Sequence, residues 1–218
     1  MQNKIDTLLT EIKTSHPSFE VKYKDESKFM KLLKKVMFFN KNFERYTTTI
    51  GSKVYFTSRK DYNERRRTYP EGLFGTLAHE YVHIYDDDKS FWFKFKYLFP
   101  QILGALSLLA IFSFVSPLFL LFLLFGLFFL PFQSKGRTEA ELRGYTMSLL
   151  VDKLIYNIKP EDNRRLPHII SNFTTGSYYY MCKDARYVRS ELIKRANMKS
   201  EELGEPYQKV EKILRSNL

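Results

Sequence analysis

Residues 102–130 contain no charged side chain, and that gap is the first constraint on the chain. About twenty of these positions are Leu, Ile, Phe or Val, each favouring bilayer insertion by a few tenths of a kcal/mol, so the sum is on the order of −10 kcal/mol. Cysteine is nearly absent: Cys182 stands alone, which excludes an internal disulfide and suits a reducing compartment. Acidic residues are outnumbered, 24 against 35 Lys and Arg, leaving a formal net charge of +11. Such an excess attracts anionic partners, nucleic acid or an anionic membrane face. The N-terminal segment MQNKIDTLLTEIKTSH is charged and amphipathic and lacks an apolar run of signal-peptide length. There is no internal repeat and no low-complexity linker. Mean hydropathy is negative despite the insert, so the remainder reads as a polar, soluble domain of one-domain size.

Outside the insert, periodicity suggests helices and one hairpin. Ile5, Leu8, Leu9 and Ile12 fall at helical spacing, residues 19–23 alternate as a short strand does, and Ser27 caps a helix running to about Phe39. Residues 46–50 and 53–57 flank Gly51-Ser52, a Gly-first loop suited to a tight hairpin. The run SRKDYNERRRTYP reads as a basic, turn-rich connection. Pro70 opens a helix reaching Asp86–Asp88, Thr138 begins another, and residues 166–173, 185–196 and 205–214 look helical. The expected class is α+β and helix-rich, with a small β-hairpin or sheet and an inserted apolar helical hairpin. Three regions follow: 1–96, 97–132 (the apolar hairpin) and 133–218.

The string TLAHEYVH carries the chemistry. Residues four apart on a helix share a face, so His79 and His83 can grip one ion. Zn2+ accepts neutral imidazole nitrogens in four-coordinate geometry and, in catalytic sites, leaves one position to water. Glu80, beside the first histidine, is placed to act as general base on that water. A third ligand must come from GRTEAELRGYTMSLL. Glu139 and Glu141 lie two residues apart and point to nearly opposite sides of a helix. Glu141 has Gly144 and Ser148 near its face, small residues that admit a close neighbour, whereas Glu139 shares its face with Arg143 and Thr146 and reads as more solvated. The choice falls on Glu141. Against it stands a capping box, Thr138-x-x-Glu141, in which the carboxylate only satisfies a helix start.

Three further side chains are candidates for groups near the site. Asp86 lies about one turn beyond His83; the alternative for Asp86, Asp87 and Asp88, which oppose the dipole of a helix ending there, is that the helix continues, or that Lys89 and the Arg65–Arg67 cluster neutralise them. Tyr145 lies one turn beyond Glu141. Tyr178, in the run 178–180, is a candidate oxyanion donor; the alternatives are aromatic packing or anchoring at a membrane interface. His168 reads as an ordinary surface or helix-start residue.

A helical HEYVH followed, after an insertion, by a glutamate on a second helix resembles the gluzincin branch of zinc metallopeptidases. RTEAELRGY is similar to the third-ligand helix of peptidases from bacterial and phage sequences. The resemblance covers about residues 45–155. It implies a zincin-like fold, His79, His83 and Glu141 as zinc ligands, Glu80 as base, and the 46–57 hairpin in the active-site sheet. The long insert departs from that pattern. The metzincin pattern does not fit, because neither the glycine nor the third histidine it requires follows His83.

Shared ligation also constrains topology. A single crossing would separate the histidines from Glu141 by roughly 30 Å of hydrocarbon, so the insert must enter and leave by one face. Ser116-Pro117 divides it into limbs of about 15 residues, each about 22 Å at the α-helical rise, which suggests a shallow hairpin. Lys89, Lys94 and Lys96 flank one side, Lys135 and Arg137 the other, as suits a cytoplasmic face. The expected partners are a peptide or protein substrate and membrane lipid. No nucleic acid is expected, since there is no basic stripe interleaved with aromatics. The alternative is a non-enzymatic membrane-associated protein with a structural or inactive metal site, which would have no use for Glu80.

Overall fold

Pro70 at the first helical position and Glu71 in the first turn start the helix that organises the molecule, α4 (Pro70–Lys89). The computed structural model describes residues 1–36, 43–130, 132–175 and 180–216. Before α4 come α1 (Gln2–Ser15), β1 (Glu20–Tyr23), α2 (Lys28–Val36), β2 (Thr48–Ile50), β3 (Lys53–Phe56) and α3 (Arg59–Thr68). After it come α5 (Phe91–Leu98), the apolar insert, and α6 (Lys135–Tyr156). The chain continues through α7 (Leu166–Thr174), α8 (Ala185–Asn197), α9 (Ser200–Leu203) and α10 (Glu205–Arg215). The described chain is helix-rich with one small sheet, an α+β arrangement.

The sheet has the order β1-β3-β2: β1 runs parallel to β3, and β2 pairs with β3 antiparallel, Thr49 opposite Val54. Gly51 turns the β2–β3 hairpin at φ +60°, a value its missing Cβ makes easy to reach. One core joins α1 (Ile5, Leu8, Ile12), β3 (Val54, Phe56), α4 (Leu73, Phe74, Leu77, Tyr81, Val82), α6 (Met147, Leu150, Val151) and α10 (Tyr207, Val210). A second lies on the opposite side of α6, where Leu142 and Leu149 meet Ile169, Phe173, Val188 and Leu192. Helix α6 is therefore covered on both sides and sits close along α4. Asn157 ends it in the left-handed conformation.

Two expectations fail here for physical reasons. The SRKDYNERRRTYP run is largely helical: Ser58 caps α3 by accepting from Asp61 N at 3.0 Å. Only Tyr62 of this helix is buried, so there is no apolar stripe for periodicity to detect. Helix α6 begins before Thr138, capped by Ser134, whose hydroxyl accepts from Arg137 N. Thr138 donates instead to the carbonyls of Ser134 and Met181. The capping box is thus absent, and Glu141 lies within the helix.

The insert forms two antiparallel limbs, Gln101–Phe114 and Pro117–Phe129, both 3₁₀-helical rather than α-helical. Their ends meet where Gln101 reaches the Leu130 carbonyl and Gly104 lies under Phe129; their tips meet at Phe112 and Phe119. In a 3₁₀-helix side chains three apart eclipse. Phe119, Phe122, Phe125 and Phe128 accordingly stack in a ladder, with centroids 5.9, 5.8 and 6.0 Å apart. Leu118, Leu121, Leu124 and Leu127 form an exposed ridge at the same spacing. At about 2 Å per residue the limbs span roughly 28 and 26 Å, longer than the α-helical rise predicts. No single helix among the described residues is long and apolar enough to cross a membrane, although Trp92–Leu98 and Gln101–Phe114 together form a bent apolar pair.

Candidate metal centre

Helix α4 carries His79, Glu80 and His83 within a stretch buried on nearly every side. Helix α6 meets it with Glu141, Gly144, Tyr145 and Ser148, which recur at the spacing of one helical face. Gly144 makes this possible, because a Cβ there would stand 2.6 Å from His79 Nε2. His79 Nε2 and His83 Nε2 are 3.1 Å apart, and Glu141 places Oε2 3.5 Å from the first and Oε1 3.8 Å from the second. Ligands about 2.05 Å from a tetrahedral zinc stand about 3.3 Å from one another. The three separations bracket that value, so the donor set fits a small divalent ion with two imidazoles and a carboxylate.

The surroundings fix these groups. The His79 Nδ1 lies 3.3 Å from the Ser148 hydroxyl, and its ring packs edge-on against Tyr145 with centroids 4.7 Å apart. The Tyr145 hydroxyl accepts from Asn172 at 2.9 Å, and burial pushes its pKa far up. His83 is held between the rings of His79 and Tyr97; its buried Nδ1 finds no hydrogen-bond partner among the described residues. Glu80, nearly buried, accepts from the Thr49 hydroxyl of β2 at 2.6 Å, so the hairpin reaches the proposed base. Burial works against a charged His83, but the Glu141 carboxylate outweighs it and pushes the pKa up to about 9. Burial would likewise raise Glu141, yet the two histidines, His83 foremost, hold it well below the usual carboxylate range.

Glu139 is not in this cluster; it forms a bidentate pair with Arg195 at 2.6 and 3.0 Å. The rest of its expected solvated face differs from the sequence reading. Thr146 is fully buried and Arg143 is mostly so, because α6 packs on two sides. Asp86 forms a bidentate pair with Arg143 at 2.7 and 3.0 Å, clamping α4 to α6 beside the site. Asp87 pairs with Lys94, and Asp88 approaches His16. Thus α4 continues through the aspartates, as one reading expected, and among the described residues their partners are Arg143 and Lys94 rather than Lys89 or the Arg65–Arg67 cluster: Lys89 lies over Tyr85, Arg65 reaches Thr76 and Asp61, and Arg66 pairs with Asp6. Tyr178 falls outside the described residues.

Sequence reasoning missed Tyr97, whose hydroxyl donates to Glu141 Oε1 at 3.1 Å. Grouping residues 97–132 as the apolar insert hid it; its place four residues after Phe93 on a short helix was the available signal. Arg137, expected among the basic flanks, is buried instead. It lies over the Tyr97 ring and donates to the Tyr97 carbonyl and to Gln101 Oε1. Comparison with family models, with curated proteins and with solved structures gives no match to this chain.

Proposed function

We propose that the chain is a membrane-associated, zinc-dependent metallopeptidase of zincin-like, gluzincin type. The observation that carries this reading is the convergence of His79, His83 and Glu141 at tetrahedral spacing, with a buried Glu80 on the same helical turn. A structural site has no need of that carboxylate. When bound, zinc supplies a Lewis acid that polarises the scissile carbonyl and acidifies water. Glu80, fixed by Thr49, takes the proton of the attacking water and delivers it to the leaving amine nitrogen. Tyr97 steadies Glu141 through its hydrogen bond. Tyr145 and Ser148 keep the His79 ring in register. β2 lies at the edge of the sheet next to Glu80, the kind of edge along which an extended peptide can lie.

The membrane part of the proposal rests on the outward faces of the two limbs. These are apolar all round, with Leu108, Ile111, Phe114 and Leu118 each more than 70% exposed, which suits immersion in hydrocarbon. Exposed Lys89, Lys94, Lys96 and Lys135 beside the root favour an anionic, cytoplasmic leaflet. Two measurements test the reading. Purified protein holds about one zinc per chain. Glu80→Gln keeps that zinc and loses peptide hydrolysis. Full zinc occupancy after replacing both His79 and His83, or unchanged hydrolysis in Glu80→Gln, refutes it.

A further inference from the structure

The root of the insert is wired to the metal centre through one short helix. On α5, Trp92, Phe95, Lys96 and Phe99 cluster on one face at helical spacing, and the three aromatics are 60, 43 and 45% exposed. Tyr97 lies on the opposite face, with its ring against His83 and its hydroxyl on Glu141. The start of α6 packs tightly on α5, since a Cβ at Gly136 would overlap the Lys96 carbonyl. Arg137 then ties the Tyr97 carbonyl to Gln101, the first residue of the first limb.

The axis of α5 turns 83° from that limb. Limbs that are apolar on every side belong in hydrocarbon, along the bilayer normal rather than flat upon it. With the limbs so placed, α5 lies close to the membrane plane. Its exposed face then carries what interfacial helices carry, a tryptophan and phenylalanines toward the lipid with a lysine, Lys96, beside them. One helix with its side chains is about 10 Å thick, and the site lies just across it.

We propose that α5 is an interfacial helix lying in the membrane plane with Trp92, Phe95 and Phe99 toward the lipid. The site therefore acts on peptide bonds within about one helix diameter of the bilayer surface, and its substrates are juxtamembrane segments of membrane-anchored chains. This rests on the peptidase reading above; the placement of α5 does not.

Trp92 is the only tryptophan in the chain, so its fluorescence reports α5 alone. With full-length protein on phosphatidylcholine–phosphatidylglycerol vesicles, bromines high on the acyl chains quench Trp92 strongly and bromines near the chain ends quench it less. Unquenched Trp92 in membrane-bound protein overturns the proposal. The same zinc-loaded, vesicle-bound protein is then given a mixed-sequence quenched fluorogenic peptide in two anchored forms. One is joined to a lipid by a few residues, the other through a rigid helical spacer of about 30 residues that lifts it roughly 45 Å. The short-anchored peptide is cut about tenfold faster or more, because only its effective concentration at the site is high. Equal rates overturn the substrate class and leave the peptidase reading standing. No cleavage of either form, or of the free peptide, overturns the peptidase reading and the substrate class with it.

Discussion

Gly144 ties the close packing of α6 on α4 to the candidate ligand His79 at a single position. Alanine there favours the helix by up to about 1 kcal/mol over glycine, but its methyl would collide with His79 Nε2. That ring cannot swing away freely, being held by Tyr145 and Ser148. Gly144→Ala should therefore lower the melting temperature, since overpacking against a held ring costs about 1–3 kcal/mol and outweighs the helix gain, and zinc affinity should fall at least about tenfold, as losses of groups orienting a ligand do; competition with a chromophoric chelator measures the affinity. The two glutamates are distinguished in the same assay. Glu141→Ala should abolish tight zinc binding, whereas Glu139→Ala loses only an exposed pair with Arg195 and should leave affinity unchanged. That Glu141 rather than Glu139 faces the two histidines was legible in the sequence because Gly144 and Ser148 mark a face of close approach. The environment of Arg143 and Thr146 was not, since local spacing cannot reveal that α6 is covered on two sides. Protons would compete with a metal bound here. His83 rises from 6.5 to about 9, so its pairing with Glu141 stabilises the metal-free fold fully below pH 6.5 and is lost as pH rises through 9. Glu141 is depressed, so its share is present above its ordinary value of 4.5 and is lost only in strong acid. Zinc must displace the His83 proton, so apparent zinc affinity should rise about tenfold per pH unit from near 7 until it levels off near 9. An affinity flat across that range would show that His83 is already neutral.

At the scale of elements, the helix that carries His79 and His83 and the hairpin beside it were readable, and α3 and the limbs were not. α4 announces itself through Pro70 and a dense apolar pattern; Gly51 announces the β2–β3 turn. α3 lacks any apolar stripe and depends on its ends instead. Ser58→Ala should therefore cost about 1 kcal/mol, visible as a lower urea midpoint with unchanged slope, and should leave zinc binding untouched because α3 supplies no ligand. The limbs defeat sequence reading for a different reason. An unbroken apolar run has no contrast from which to read a period, so the threefold spacing of Phe119, Phe122, Phe125 and Phe128 becomes informative only once the backbone is 3₁₀. The same lack of contrast hid Tyr97, a hydroxyl at the insert's root that reaches a candidate ligand.

At the scale of the whole molecule, the limbs and the candidate metal centre are joined at the root through Tyr97, Arg137 and Gln101, and this makes their roles separable. Limb residues beyond Gln101 supply none of the candidate ligands. The clamp of Arg137 on Tyr97 and Gln101 lies outside the limbs' apolar bodies. Replacing residues 103–129 with a short polar linker should release the protein from membranes, because the exposed leucine ridge and the phenylalanine ladder are both removed. Gln101 and Leu130 already approach each other, so a short linker can close the gap without pulling α5 from α6. Zinc binding should therefore survive within about threefold, well inside the range set by loss of an orienting group. The antiparallel limbs also require both flanks to emerge on one side. Single cysteines at Lys89 and Lys135, in a Cys182→Ser background, should both react with a membrane-impermeant thiol reagent from the same face of sealed vesicles. Labelling from opposite faces would mean that the limbs separate and span, which would carry Glu141 away from His79 and His83. A shortened protein that folds, shown by a cooperative thermal transition, yet binds no zinc would mean that the limbs brace Tyr97 and Glu141 as well as anchoring the chain.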